Sequence, residues 1–194
     1  KKNRFSVYLD DAFAFGLNVA TLAEFNLKEG DLLTDDRIAD ILRSEGKKQI
    51  KESAFRYLAG RAHSEKELRT KLRRKQYDET LIDQVIAELK QAKLIDDRGF
   101  AFSFARSRMV SKPMGERLLR QELWQKGLAD KLIDHTIKEI YAETSQEDVA
   151  LQLLEKRRPR YKNLAQKEQK KRLYDFLIRR GFGWDVVNDV LHSE

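Results

Sequence analysis

The sequence predicts a mainly α protein, a tandem array of three three-helix repeats behind a small N-terminal element of a β-hairpin and a helix. Three observations carry this. Charged residues make up 37% of the 194, with nine glycines and only two prolines, a balance suited to helices laced with surface ion pairs rather than to turn-rich sheets. An apolar frame recurs three times along the chain. Near the N-terminus, by contrast, apolar residues alternate with period two, as in strands.

The elements follow in order. In Arg4–Leu17, Phe5, Val7 and Leu9, then Phe13 and Phe15, alternate around Asp10-Asp11, which is a β-hairpin pattern. Val19–Phe25 makes a short helix, Leu27–Gly30 a turn and Asp31–Leu33 a short return. Helix resumes after Thr34, where Thr34, Asp35 and Asp36 supply a cap and first-turn acids before Ile38, Ile41 and Leu42. The pattern leaves open whether that helix continues through Gly46.

Beyond it, three segments share one register. Leu68, Leu72 and Gln76-Tyr77 match Leu119, Leu123 and Gly127-Leu128 at an offset of 51, and Leu173, Leu177 and Gly181-Phe182 at a further 54. Downstream, Leu81, Ile82 and Ile86 match Leu132, Ile133 and Ile137, then Val186, Val187 and Leu191. Each copy reads as helix, helix, tight turn, helix. In the first, a helix begins around Phe55 and Leu58, Ser64 caps the second with Glu67 three residues on, and Leu81, Ile82, Val85, Ile86 and Leu89 make one face of the third. Tyr77, Leu128 and Phe182 are placed to fill the gap at the turn. The expected divisions are 1–51 for the N-terminal element and 52–96, 97–146 and 147–194 for the repeats. Between first and second helices the copies diverge: Arg61-Ala62-His63, then Met109–Gly115, then the basic Lys156–Lys167 tract.

Charge points to a polyanionic partner. Lysine and arginine total 39 against 32 acidic residues, a net +7, and residues 1–51 are balanced at nine of each sign. All the excess lies in the repeats, where Lys156–Arg172 holds nine basic residues against Glu168. Such a field attracts nucleic acid. The absence of cysteine excludes disulfides, thiolate metal sites and cysteine nucleophiles and fits a reducing, cytoplasmic setting. No run of roughly 20 apolar residues is available to span a bilayer, so no membrane partner is expected.

Catalytic motifs are missing. His63, His135 and His192 are far apart, without a zinc-binding spacing, and no glycine-rich phosphate loop or nucleophile elbow is present. No cofactor, metal or catalytic residue is expected. Asp96-Asp97 and Asp10-Asp11 fit helix caps and turns, although Asp96 and Asp97 also define a metal-dependent phosphoryl-transfer alternative. Trp124 and Trp184, at different repeat positions, are expected to pack. The candidate partner and DNA contacts are basic helix faces: Arg69, Lys71, Arg73, Arg74 and Lys75 in repeat one; Arg117, Arg120 and Lys126 in repeat two; Lys170, Lys171, Arg172, Arg179 and Arg180 in repeat three. Arg106, Arg108 and Lys112 frame the variable loop of repeat two. Arg157, Arg158 and Arg160 frame that of repeat three, where Tyr161 is placed to stack on a base.

The stretch Arg61–Leu68, then Lys71-Leu72, Ile82, Leu89, Leu94–Asp97 and Phe100-Ala101, resembles the first repeat of the RecX family of bacterial regulators. Gly115, Glu122-Leu123 and Lys126-Gly127 fit that family's second repeat, and the likeness covers residues from about 5 to 194. The resemblance implies an elongated, curved array that binds the RecA recombinase filament on single-stranded DNA. It further implies inhibition of filament assembly, strand exchange and coprotease activity, and so regulation of DNA repair, recombination and the SOS response. No fixed catalytic residues come with that role. A monomer is expected, with single-stranded DNA, and duplex DNA as a second candidate, among its partners. The third repeat is the least faithful copy. The alternative is a basic helical-repeat protein that binds DNA directly without a recombinase.

Overall fold

A computed structural model describes residues 4–192. Strands β1 (Arg4–Leu9) and β2 (Ala12–Asn18) pair antiparallel from Arg4↔Asn18 to Leu9↔Ala12, with an irregularity between Val7 and Tyr8. Asp10 and Asp11 both take positive φ, 47° and 65°, the geometry that a two-residue hairpin loop demands and that aspartate tolerates. Helix α1 (Val19–Glu24) follows, capped by the Asn18 side chain. Residues 31–34 have no regular structure, so the expected short return is an irregular link.

Helix α2 (Asp35–Gly60) runs unbroken through Gly46. The helix expected to begin near Phe55 is therefore its last part, and the division at residue 51 falls inside it. Thr34 caps it by accepting the Arg37 amide at 3.3 Å. The remaining helices are α3 (Glu65–Arg73), α4 (Glu79–Gln91), α5 (Asp97–Ser111), α6 (Glu116–Gln125), α7 (Asp130–Glu143), α8 (Gln146–Arg157), α9 (Gln166–Arg179) and α10 (Trp184–His192), with a 3-10 turn at Arg158–Tyr161. The three-helix groups are thus α2–α3–α4, α5–α6–α7 and α8–α9–α10.

The chain divides into two compact units. One comprises residues up to Ala62 with Leu68–Ile95; the other comprises His63–Glu67 and the chain from Asp96 onward. In the first unit, Ile50, Ala54, Leu68, Leu72, Ile82, Val85, Ile86 and Leu89 form the core. Buried Glu45 ties the N-terminal element to α2: its carboxylate accepts the Asn18 amide at 2.9 Å, the Thr21 hydroxyl at 2.8 Å and the Gln49 side-chain amide at 2.7 Å.

The second unit holds two cores, one around Leu119, Leu123, Leu128, Ile133 and Ile137, the other around Leu173, Leu177, Phe182, Val186 and Val187. Leu128 and Phe182 plug the α6–α7 and α9–α10 turns, as their places in the sequence indicate. Each turn passes through a glycine at positive φ, Gly127 at 81° and Gly181 at 87°. At Gly181 the Phe182 amide reaches the Leu177 carbonyl and the Gly181 amide that of Ile178, the paired bonds of a Schellman close.

These turns also dock. Gly115 gives α6 no side-chain cap. Instead, the Gly115 amide donates to the Arg180 carbonyl at 2.9 Å and the Arg117 amide to the Gly181 carbonyl at 3.0 Å, so the next repeat's turn satisfies N–H groups that a helix start leaves open. A Cβ on Gly115 or Gly181 would lie under 3.0 Å from the facing backbone. The preceding turn docks in the same sense: Ser64 Oγ accepts the Glu67 amide and donates to the Lys126 carbonyl at 2.7 Å.

Candidate nucleic-acid and partner interface

The basic residues of the repeats fall into sets according to what each side chain touches. One set braces the second helix of a repeat to the third. Arg69 on α3 pairs with Asp83 on α4, and Arg120 on α6 pairs with Asp134 on α7 at 2.6 Å. Both pairs lie at equivalent repeat positions; in the third repeat those positions are Tyr174 and Asn188. Arg120 also holds Glu116 at 3.0 Å, and the hydrogen bonds it donates to Asp134, then Glu116, raise its pKa above the ordinary arginine value. Arg120→Ala is therefore expected to lower the second unit's stability by about 0.5–1 kcal/mol, the range for a partly exposed pair. Arg117→Ala, on the same helix, should stay within about 0.5 kcal/mol of wild type. Urea unfolding of the two variants checks the difference.

A second set links the first helix of a repeat to the second. Lys71 lies over the Tyr57 ring at 4.7 Å. At the matching positions, each three residues after a buried first-helix residue (Ala54, Ala105, Leu154), Arg108 makes a two-pronged pair with Glu122 at 2.5 and 2.6 Å, and Arg157 lies over the Phe176 ring at 5.0 Å. One site is thus held by a cation–π contact, an ion pair and a second cation–π contact. Arg157 also donates to the Tyr161 hydroxyl at 3.1 Å and lies 5.5 Å from that ring, so Tyr161 is already engaged by an arginine.

Further cations are held locally. Arg73 grips Glu79 with two nitrogens, Arg106 pairs with Glu143 at 2.5 Å and Arg172 with Glu168 at 3.1 Å. Lys126 Nζ meets Glu67 at 2.6 Å, and Arg180 donates to the Pro113 carbonyl at 3.1 Å while stacking on Phe176. That stretch is also fixed by Tyr141, which donates to the Met114 carbonyl at 2.7 Å and whose phenol pKa burial pushes up, keeping it a donor. Arg158 opens the 3-10 turn half-buried.

The remaining candidates are Arg74, Lys75, Lys112, Arg117, Arg160, Lys170, Lys171 and Arg179. All are exposed and make no ion pair among the described residues. Lys162 and Lys167 share this state and were not among the sequence candidates. For Lys167 the signal was its three- and four-residue spacing from Lys170 and Lys171, which puts all three on one helix face.

Trp124 and Trp184 are 63% and 64% exposed, so neither is the packing residue expected. Each occupies an outward helix position, and Lys66 lies 5.7 Å from the Trp124 ring. Asp96 caps α5 through the Arg98 amide, and Asp97 accepts the Glu65 amide at 2.8 Å. Among the described residues no group of three His, Cys, Asp or Glu side chains could hold a metal ion, and no helix is long and apolar enough to cross a membrane.

Comparison with known proteins matches the chain to four family models in order. They are the regulatory protein RecX N-terminal domain over residues 1–34 and the first, second and third RecX three-helix domains over 51–89, 96–137 and 145–191. The regulatory protein RecX of Bacillus velezensis is 33% identical over 196 residues, covering 100% of this chain and 74% of that protein. That of Bacillus cytotoxicus is 30% identical, covering 99% and 72%. A crystal structure of regulatory protein RecX superposes with a TM-score of 0.79 at 26% identity, over 98% of this chain and 93% of the other. RecX from Lactobacillus salivarius shares the fold with a TM-score of 0.71 at 23% identity, over 77% of this chain and 97% of the other.

Proposed function

The chain belongs to the RecX family of regulatory proteins, and on that premise we propose that it binds the RecA nucleoprotein filament and inhibits its assembly, strand exchange and coprotease activity. The observation that carries this reading is the ordered match of all four family modules along one chain. The geometry is compatible with a binder: the repeats present cations to solvent on rigid helices, while the carboxylates nearest to a metal-site arrangement, Asp96 and Asp97, are spent on backbone amides. Binding that favours a blocked filament over a growing one lowers recombinase activity without chemistry. The protein works as a cytoplasmic monomer in this reading, and its repeats divide at 52–96, 97–146 and 147–194.

Filament assembly on single-stranded DNA, with recombinase ATPase followed in parallel, tests the proposal. Both rates should fall as the protein is added; unchanged rates at saturating protein sink it. The exposed cations without ion pairs favour one other reading, direct DNA binding with no recombinase. Salt separates the two, because contacts to naked DNA weaken steeply as salt rises, whereas a protein-mediated filament contact persists where naked DNA is released.

A further inference from the structure

We infer that the third repeat carries a direct nucleic-acid site, a phosphate-backbone contact built from Lys162, Lys167, Lys170 and Lys171. It deepens the filament reading by naming where this chain meets DNA, and rests on that reading only for its biological setting.

The inference comes from comparing one stretch across the three copies. In the first repeat the second helix opens as Glu65-Lys66-Glu67, in the second as Glu116-Arg117-Leu118, and at the same positions in the third it reads Lys170-Lys171-Arg172. In the first two copies this stretch is where the following turn docks. Glu67 takes Lys126 Nζ, and the Arg117 amide takes the Gly181 carbonyl. The two acidic positions of the first copy have thus become cationic in the third.

At Arg172 the new cation is answered by Glu168, but no packing contact explains Lys170. Lys170, Lys171, Lys167 and Lys162 are all exposed and make no ion pair among the described residues. The acids that line the same depressions are Glu155, Glu168 and Asp175, of which Glu168 pairs with Arg172. Two shallow depressions flank α9. Lys162 and Lys170 line one with Gln166 and Gln169, and Lys167 and Lys171 line the other. A chain of phosphates laid along α9 meets a cation from either side. Tyr161 is held by Arg157, and no Phe, Tyr or Trp lines either depression, so the contact is to backbone rather than base.

The test measures affinity for a fluorescent oligothymidine and for a duplex of equal length, across a salt series, with the full chain. Lys170→Gln/Lys171→Gln should weaken binding about tenfold at low salt and reduce the log–log salt slope by about 1.5, two phosphate contacts' worth. Lys131→Gln/Lys138→Gln, which removes the same charge from α7, should change neither by more than about twofold. Loss on both DNA forms assigns backbone recognition in general; loss on one alone assigns that form. Equal losses in the two double variants, or none in the first, overturn the inference. The filament assay on the same proteins keeps the readings apart. Wild type that leaves the filament untouched, with Lys170 and Lys171 still needed for DNA, sinks the filament proposal and leaves this one standing.

Discussion

Replacing Gly181 by alanine is expected to cost about 2–4 kcal/mol, combining the left-handed penalty of an L-residue with overpacking. Gly181 sits at φ 87°, and a Cβ there would come under 3.0 Å from the backbone and side chain of Leu118 on α6. The same residue supplies the carbonyl that caps the Arg117 amide, so the shift needed to relieve the clash also breaks the docking bonds. Differential scanning calorimetry should show the second unit's transition falling by on the order of 10 °C or more. Gly30 provides the comparison: it has φ 83° but open space around its Cβ position, so Gly30→Ala should cost only about 1 kcal/mol. A Gly181→Ala protein no less stable than Gly30→Ala would mean the turn does not pack as described.

Glu45→Ala is expected to release the hairpin and α1 from α2 at a cost of about 2–4 kcal/mol, because it leaves the Asn18 amide and the Thr21 hydroxyl without their acceptor. Burial alone raises the Glu45 pKa. The Asn18, Gln49 and Thr21 hydrogen bonds, helped by Arg4, overcome that and hold it below the ordinary value. A carboxylate whose folded pKa is depressed contributes stability that is complete above its unfolded pKa, about 4.3, and is lost as pH falls through the folded value. Hydrogen-exchange protection of residues 4–24, taken relative to the intrinsic rate at each pH, should therefore fall below about pH 4.3 in wild type. In Glu45→Ala it should be low already at neutral pH, with little further change. Equal protection in both proteins at pH 7 contradicts the coupling.

These two sites differ in how far the sequence revealed them. The apolar frame was legible because helix cores repeat the same side chains, and Leu119, Leu123 and Ile133 sit where Leu68, Leu72 and Ile82 predict. The hairpin was legible from period-two alternation. The continuity of α2 was not, since one interior glycine is compatible with either a break or a helix. Glu45 gave no signal, because the partners that tie it to the N-terminal element lie 24 and 27 residues upstream. Several candidate cations have partners beyond a local window, as Arg108 has in Glu122, and those pairings leave no mark in the sequence. The Arg69–Asp83 and Arg120–Asp134 braces were nonetheless readable, since both members recur 51 residues on. Docking of Gly181 onto α6 was hidden, because a glycine at a helix end is explained by the turn alone.

The link between first and second helices bears on ancestry. If the three copies descend from one duplicated module, then Lys71 with Tyr57, Glu122 with Arg108, and Phe176 with Arg157 are diverged forms of one inherited adjacency. Between the first copy and the other two, neither member of a pair is interchangeable alone: Arg108's identity at position 57, or Lys71's at position 122 or 176, sets two cations against each other. Unequal crossover within a module would separate partners that lie 14 or 19 residues apart in the chain. The first copy is thereby insulated from homogenising exchange with the other two, whose shared arginine is held by a carboxylate in one and a ring in the other.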